Sequence, residues 1–350
     1  MDNLTHTLTG VLLAKAGFNR LTPRANLVMA LALNSPDIDL LWSWGREAHI
    51  FLDHHRGFTH SFLFAPLVAL VPMVLAPIIA TAFASVRRLL FKGERRSERI
   101  VWNTFTWQTW LAALIGVCVH IVQDTTNVYG VRSLWPVTEH WFRLDWVSVI
   151  DPWIWLLLLA GVLWPVLGGL VAGEIGGKRS SGDGWARAVL IMLLAYVAGR
   201  GVLHGRAVDL ISARSYAGHP IRNASAFPSI VSLLSWTGVA ETAADWRILD
   251  VDLAGELYPD KARVYPKVPA ERAVLSTEPF RVFLNFSQFP VWSTVAAPGP
   301  LGAENVEVCD LRFGMPGEGR FCAVATVEPS GKVEEPRFQM GPPGTLPRPK

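Results

Sequence analysis

Residues 53–61 read DHHRGFTHS, three histidines with an aspartate and an arginine, directly before the uncharged stretch SFLFAPLVALVPMVLAPIIATAF at 61–83. Imidazole nitrogen and carboxylate oxygen are ligands for zinc, and also for manganese or iron. His55 and His60 stand five apart, with Gly57 permitting a tight turn between them. One histidine here would be an interfacial side chain reaching for water; three so close together point to ligation. Arg56, in their midst, is a candidate for stabilising an anionic substrate.

A second source of ligands is HIVQD, in which His120 and Asp124 are four apart and so share one face of a helix. Ionisable residues at the edge of a membrane helix mark a functional site by default; a His–Asp hydrogen bond between helices is the structural alternative. NSPDID supplies Asp37 and Asp39, which face the same way on extended chain. Pro36 favours a helix stop before them, and a polar helix end is the plainer account of the pair. His6, in THTLTG, is either a ligand or, with Thr5 and Thr7, part of a helix cap. His54 adjoins His55 and so points elsewhere. Asp151-Pro152 reads first as a helix start, with a metal role left open. Arg200 and His204 share a helix face and are accounted for by snorkelling unless that face turns to the cluster.

The elements that must position these residues lie in a membrane. With 51% hydrophobic and 17% charged residues over 350 positions, the chain is too apolar for an ordinary soluble domain. The stretch at 61–83 exceeds the ~20 residues needed to cross a bilayer core. Further spans are expected at 107–123, 152–172 and 186–203. Two shorter apolar segments within 4–36 would extend only ~20 Å each and are expected to form a helical hairpin buried against the other helices. No basic region with a small-residue cleavage site opens the chain, so the first segment is expected to be retained.

Charge sets the sidedness. The stretch at 87–99 holds six basic and two acidic residues, whereas 124–151 holds two basic and four acidic. By the positive-inside rule the first is cytoplasmic and the second lies outside. That arrangement gathers His6, Asp37, Asp39, His54, His55, His60, His120, Asp124 and Asp151 near the outer face, from five separate stretches. The net charge of +3 reports topology rather than nucleic-acid binding.

THTLTG (5–10), SPDIDLLW (35–42), HRGFTHS (55–61), HIVQDTTNVYGVRSLWP (120–136) and VIDPW (149–153), in that order, resemble the membrane-bound metal-dependent hydrolases of the YdjM/YbcI type over residues 1 to about 175. The ligand order is in turn similar to zinc phospholipases C and P1-type nucleases, helical enzymes that cleave phosphoesters at metal clusters. The resemblance implies His6, Asp37, Asp39, His55, His60, His120 and Asp124 as metal ligands, with Arg56 and Asp39 as candidate catalytic groups. It implies a divalent transition metal, foremost zinc, with manganese or iron as alternatives. The soluble enzymes carry further histidines on a later helix, where this chain offers His204.

Beyond about 207 the pattern changes to short alternating runs, and FRVFLNF (280–286), VEVCDLRF (306–313) and RFCAVATV (320–327) read as strands by period two. Cys309 and Cys322 fall in neighbouring strands, where an oxidising compartment permits a disulfide. GPPGTLPRPK at 341–350 has the composition of a disordered tail.

The expected architecture is an all-α polytopic membrane bundle at 1–206 with a small β-rich extramembrane domain at 207–340. The expected setting is a bacterial inner membrane, with site and tail facing the periplasm. The expected reaction is hydrolysis of a phosphoester or ester in a lipid or amphiphile. A non-catalytic scaffold or transporter-like protein with a structural metal is the other class that fits the residues.

Overall fold

The computed structural model describes residues 1–90, 104–174, 182–216, 218–297, 301–318 and 320–341. Most of the basic stretch at 87–99 and nearly all of the proposed tail at 341–350 lie outside the described residues. Two compact units are present: Met1–Ile38 with Arg56–Gly201, and Asp39–His55 with Val202–Lys350.

The first unit opens with α1 (Asn3–Ala16) and α2 (Ala25–Ala32). Asp2 caps α1, accepting the amides of Leu4 and Thr5 at 3.0 and 3.1 Å; such a cap is worth about 1 kcal/mol. Gly17, at φ 155°, closes it by donating to the Leu13 carbonyl. The two helices meet at Gly10, where a Cβ would lie 2.6 Å from the carbonyl oxygen of Met29.

In the second unit α3 (Leu40–Ser43) and α4 (Ala48–His54) follow. The chain returns to the first unit with α5 (Ala65–Val68), α6 (Leu70–Leu90), α7 (Trp107–Thr125), α8 (Pro152–Glu174) and α9 (Asp183–Ser212), the last continuing into the second unit. Leu8, Leu12, Ile154, Leu158 and Val189 form one buried cluster, and Ala32, Ala65, Val117, Ile121 and Val131 another.

Among the described residues three helical stretches are long and apolar enough to cross a membrane: Ala65–Arg87, Pro152–Leu170 and Asp183–Ser212. The expected span at 107–123 is helical, as α7, but is not among them. Its face toward the other helices carries Thr109, His120 and Asp124, all buried, so its apolar length serves the interior of the unit. The span expected over 61–83 becomes helical only from Ala65, following the 3-10 turn Phe58–His60.

The β-rich part is larger than the all-α description allows. Strands β1 (Asn223–Pro228), β2 (Ser235–Glu241), β3 (Asp245–Asp252) and β4 (Arg263–Pro266) form one antiparallel sheet in sequential order. Its inner face packs on Ala207 and Ile211 of α9 through Trp236, Ala240 and Leu249.

After α10 (Glu278–Phe286), strands β5 (Pro290–Ala296), β6 (Glu304–Asp310), β7 (Cys322–Val327) and β8 (Val333–Gln339) form the second sheet, also antiparallel and sequential. FRVFLNF, expected as a strand, is α10. Phe280, Phe283 and Phe286 are buried at a spacing of three, and Pro279 sits in the first turn, where its missing amide is harmless. The expected strands at 306–313 and 320–327 correspond to β6 and β7.

Cys309 faces Cys322 in the register of β6 and β7, and the two form a disulfide. Beside them Asp310 is fully buried, accepting from Arg312 and from the Ser287 hydroxyl, both at 2.8 Å. Burial by itself would raise this carboxyl, but the Arg312 guanidinium and its hydrogen bonds hold it below the usual range.

Candidate metal centre

Four elements of the first unit bring five residues to one buried cluster. His6 comes from the first turns of α1. Asp37 comes from the 3-10 turn Pro36–Asp39, His60 from the turn Phe58–His60, and His120 and Asp124 from the last turns of α7. Asp37, His60, His120 and Asp124 each offer a ligand atom, all within 4.8 Å of one another. His6 joins them, its Nε2 3.3 Å from Asp124 Oδ1 and its ring stacked on His120 with centroids 3.9 Å apart.

The outer nitrogens of the rings decide what the inner ones can do. His120 Nδ1 lies 2.6 Å from the Leu33 carbonyl, which only accepts, so Nδ1 carries the proton and a neutral ring leaves Nε2 bare. The Gln123 amide donates to Thr9 at 3.1 Å, which turns its oxygen toward His6 Nδ1 at 3.0 Å. His6 Nε2 is therefore bare by the same argument, and among the described residues it is buried without a hydrogen-bond partner.

His60 Nε2 stands 3.0 Å from His120 Nε2 and 3.4 Å from Asp37 Oδ1; His120 Nε2 stands 3.5 Å from Asp124 Oδ2. Lone pairs and carboxylate oxygens this close need a positive centre among them, a proton or a metal ion. Three imidazole nitrogens and two carboxylates suit a divalent transition metal by donor type. Burial alone would raise the Asp37 carboxyl, yet the hydrogen bond from His60 holds it well below the usual carboxylate range.

Arg56 is buried with φ 60°. Its guanidinium reaches Asp124 Oδ2 at 3.1 Å and the Gly130 carbonyl at 3.2 Å, and it lies over the Tyr129 ring. It is thereby engaged with the chain's own acceptors and fixes one oxygen of Asp124. The Met1 amine contacts the other oxygen. Arg132 N donates to the Arg56 carbonyl at 3.0 Å, so the loop after α7 holds the histidine loop in place.

Asp37 and Asp39, expected on extended chain, instead occupy a 3-10 turn. In the second unit Asp39 Oδ1 accepts from His55 Nδ1 at 3.0 Å, and Phe51 stacks on the His55 ring. His54 is exposed, with Nδ1 3.0 Å from the Ile50 carbonyl. Asp151 caps α8, accepting the Trp153 amide at 3.0 Å and the Tyr196 hydroxyl at 2.9 Å. Arg200 donates to the Trp146 carbonyl at 3.3 Å, and the His204 ring packs edge-on against Trp236.

Residue-type reasoning passed over the amides. Gln123 orients His6. Asn3 donates to Asp37 Oδ2 at 2.8 Å and to Asn34 at 3.0 Å. The usable signal was Gln123 itself, three residues after His120 and next to Asp124 in HIVQD. Gln123→Leu should weaken metal affinity about 10- to 100-fold, the usual effect of losing such an outer partner. Gln123→Glu, which keeps the acceptor, should preserve it. Competition against a chelator measures both, and unchanged affinity in the Leu variant would show that His6 does not depend on Gln123.

A family model described as YdjM inner membrane protein matches residues 1–207. The uncharacterized protein YfhP of Bacillus subtilis (strain 168) is 27% identical over 172 residues, which is 46% of this chain and 45% of that relative. The match thus spans less than half of the relative's length. No solved structure matches. The family match covers all four converging elements together with the three membrane-length helical stretches in whole or nearly so, and the chain belongs to the YdjM inner membrane protein family.

Proposed function

We propose that this protein is a membrane-bound, metal-dependent hydrolase acting on a phosphoester or ester of a lipid or amphiphile. The observation that carries the reading is the set of His6 and His120 Nε2 atoms, each left without a proton by its Nδ1 partner and facing the buried Asp124 carboxylate. His6, Asp37, His60, His120 and Asp124 would hold the ion, zinc foremost, with manganese or iron as alternatives. A metal in such a site supplies Lewis acidity and brings the pKa of water toward neutrality.

The chain's own residues do the rest. Gln123 and the Leu33 carbonyl keep two rings in the tautomer that leaves Nε2 available, and Arg56 orients Asp124. Asp37, with Asn3 and Asn34, forms the less buried edge, the side from which a head group would approach. Lipid or amphiphile is favoured because membrane-length helices share the unit with the site. The ligand order, similar to that of zinc phospholipases C, directs the reaction toward phosphoesters. Charge asymmetry supports an outward-facing site in a bacterial inner membrane.

A second reading has its own support: His6, His60, His120 and Asp124 are each 0% exposed, as suits a structural metal in a scaffold or transporter-like protein. One experiment separates the two. Purified protein, metal-loaded or chelated, is assayed on bis(p-nitrophenyl) phosphate and a broad lipid panel, while reporter fusions at 93, 140 and 260 read the topology. Turnover that follows metal loading, with 140 and 260 external, is the expected result. Stoichiometric metal without turnover on any substrate would favour the structural reading, and a cytoplasmic signal at 140 would overturn the outward-facing site.

A further inference from the structure

Between Arg222 and Glu241 no residue carries a charge. The hairpin of β1 and β2 folds this stretch on itself, with its tip at residues 229–234, SIVSLL. Ile230, Val231, Leu233 and Leu234 are 57, 69, 38 and 41% exposed. Single exposed aliphatic residues are ordinary on any surface, whereas a run of them marks an interaction site.

Part of the tip's backbone is closed internally. Ser229 N donates to the Ser235 carbonyl at 3.1 Å, and the Leu234 carbonyl accepts from Leu253 N at 3.0 Å. Ser232 N donates to the Ser229 hydroxyl at 3.3 Å, and Ser235 N to the Ser232 hydroxyl at 3.1 Å. Water would serve these groups on an ordinary surface loop. In hydrocarbon each must find a partner within the protein.

The direction of the tip follows from α9. At about 1.5 Å per residue its 30 residues extend ~45 Å, more than the ~30 Å bilayer core, so one end projects. No charge falls between Arg187 and Arg200, whereas Arg206 and Asp209 lie near the carboxyl end, which is therefore the end that leaves the membrane. On that end a Cβ at Gly238 would lie 2.7 Å from Ile211, and the Trp236 ring packs on His204 with centroids 5.8 Å apart. Two residues of β2 thus pass about two turns back along the helix, toward its uncharged stretch. The tip continues beyond Trp236 by roughly four residues, ~13 Å of strand. Tryptophan and histidine at the crossing are side chains suited to the membrane–water boundary.

We infer that residues 229–234 insert into the apolar part of the lipid bilayer and anchor the first sheet to the membrane in which α9 is embedded. The occupant is lipid: the tip is uncharged, carries four exposed aliphatic side chains, and lies beside a membrane-length helix, with the backbone of Ser229, Ser232 and Leu234 bonded from within. This inference does not depend on catalysis.

The test uses the full chain with Cys118→Ser, so that nitroxide labels attach only at Val231→Cys, Leu234→Cys or, as the aqueous reference, Asp260→Cys. The protein is placed in nanodiscs of phosphatidylcholine with phosphatidylglycerol, and collision with oxygen is compared with collision with a water-soluble nickel chelate. Labels at 231 and 234 should meet oxygen in preference to nickel, and the label at 260 the reverse. Labels at 231 and 234 that behave like the one at 260 would overturn the inference. So would labels shielded from both reagents, since a protein surface would then cover the tip. Retention of the Cys309–Cys322 disulfide in each variant reports folding independently of the label.

Discussion

His60→Ala and Asp124→Ala should each reduce bound metal from about one ion per chain or more to a small fraction of that. His60 Nε2 lies 3.0 Å from His120 Nε2, and Asp124 lies within ion-pair distance of His6, His60, His120 and Arg56. Removing either leaves the remaining donors facing one another across a gap. The Asp124 variant has a second consequence, because Arg56 would keep its buried charge without its carboxylate; breaking such a pair costs about 3–5 kcal/mol. Asp124→Asn, which preserves shape, separates loss of the metal from loss of the fold. His54→Ala and His219→Ala remove exposed imidazoles outside the cluster and should retain the metal. Elemental analysis of purified protein decides the matter, and metal retained at the wild-type level in both His60→Ala and Asp124→Asn would rule out this centre.

The second large effect is expected where no ligand is touched. Gly10→Leu should prevent accumulation of folded protein, and Gly10→Ala should cost about 1–3 kcal/mol, the usual range for overpacking. A Cβ at Gly10 would sit 2.6 Å from Met29 O and 2.8 Å from Ala30 N, and both atoms belong to backbone that cannot rotate aside. Small residues let helices approach this closely inside membranes. Parting α1 from α2 would also carry His6 away from Asp124, since His6 and Gly10 are one turn apart on the same helix. Gly205→Ala, on α9 with open space around the new methyl, is the matched control and should be tolerated. Thermal unfolding in detergent, read with metal content, is the measurement; a Gly10→Leu protein that melts and binds metal like Gly205→Ala would disprove the close-packing account.

Much of the cluster is legible in the sequence. His6, Asp37, His60, His120 and Asp124 were identifiable because charged and imidazole groups stand out against apolar helices. Strands β6 and β7 and their cysteine pair were legible for a related reason, since alternation along a strand records which face is buried. FRVFLNF was not, because phenylalanines at 280, 283 and 286 with Val282 satisfy a period near three and a period of two at once; packing against β7 and β8 selects the helix. The helix at α7 looked like a span for its apolar content, and only its surroundings reveal that much of that surface is turned inward.

The sequence by itself determined which residue types could bind a metal and along which elements they recur, because those are properties of local spacing. The tertiary structure alone decided which nitrogen of each ring faces the carboxylates, that Gln123 and the Leu33 carbonyl set the tautomers, and that Arg56 is committed to Asp124. His6 meets Gln123 across 117 residues of chain and His60 meets His120 across 60. The orientation of a side chain toward such a distant partner is set by how helices cross and how closely glycines such as Gly10 let them pack, and no local period carries that information.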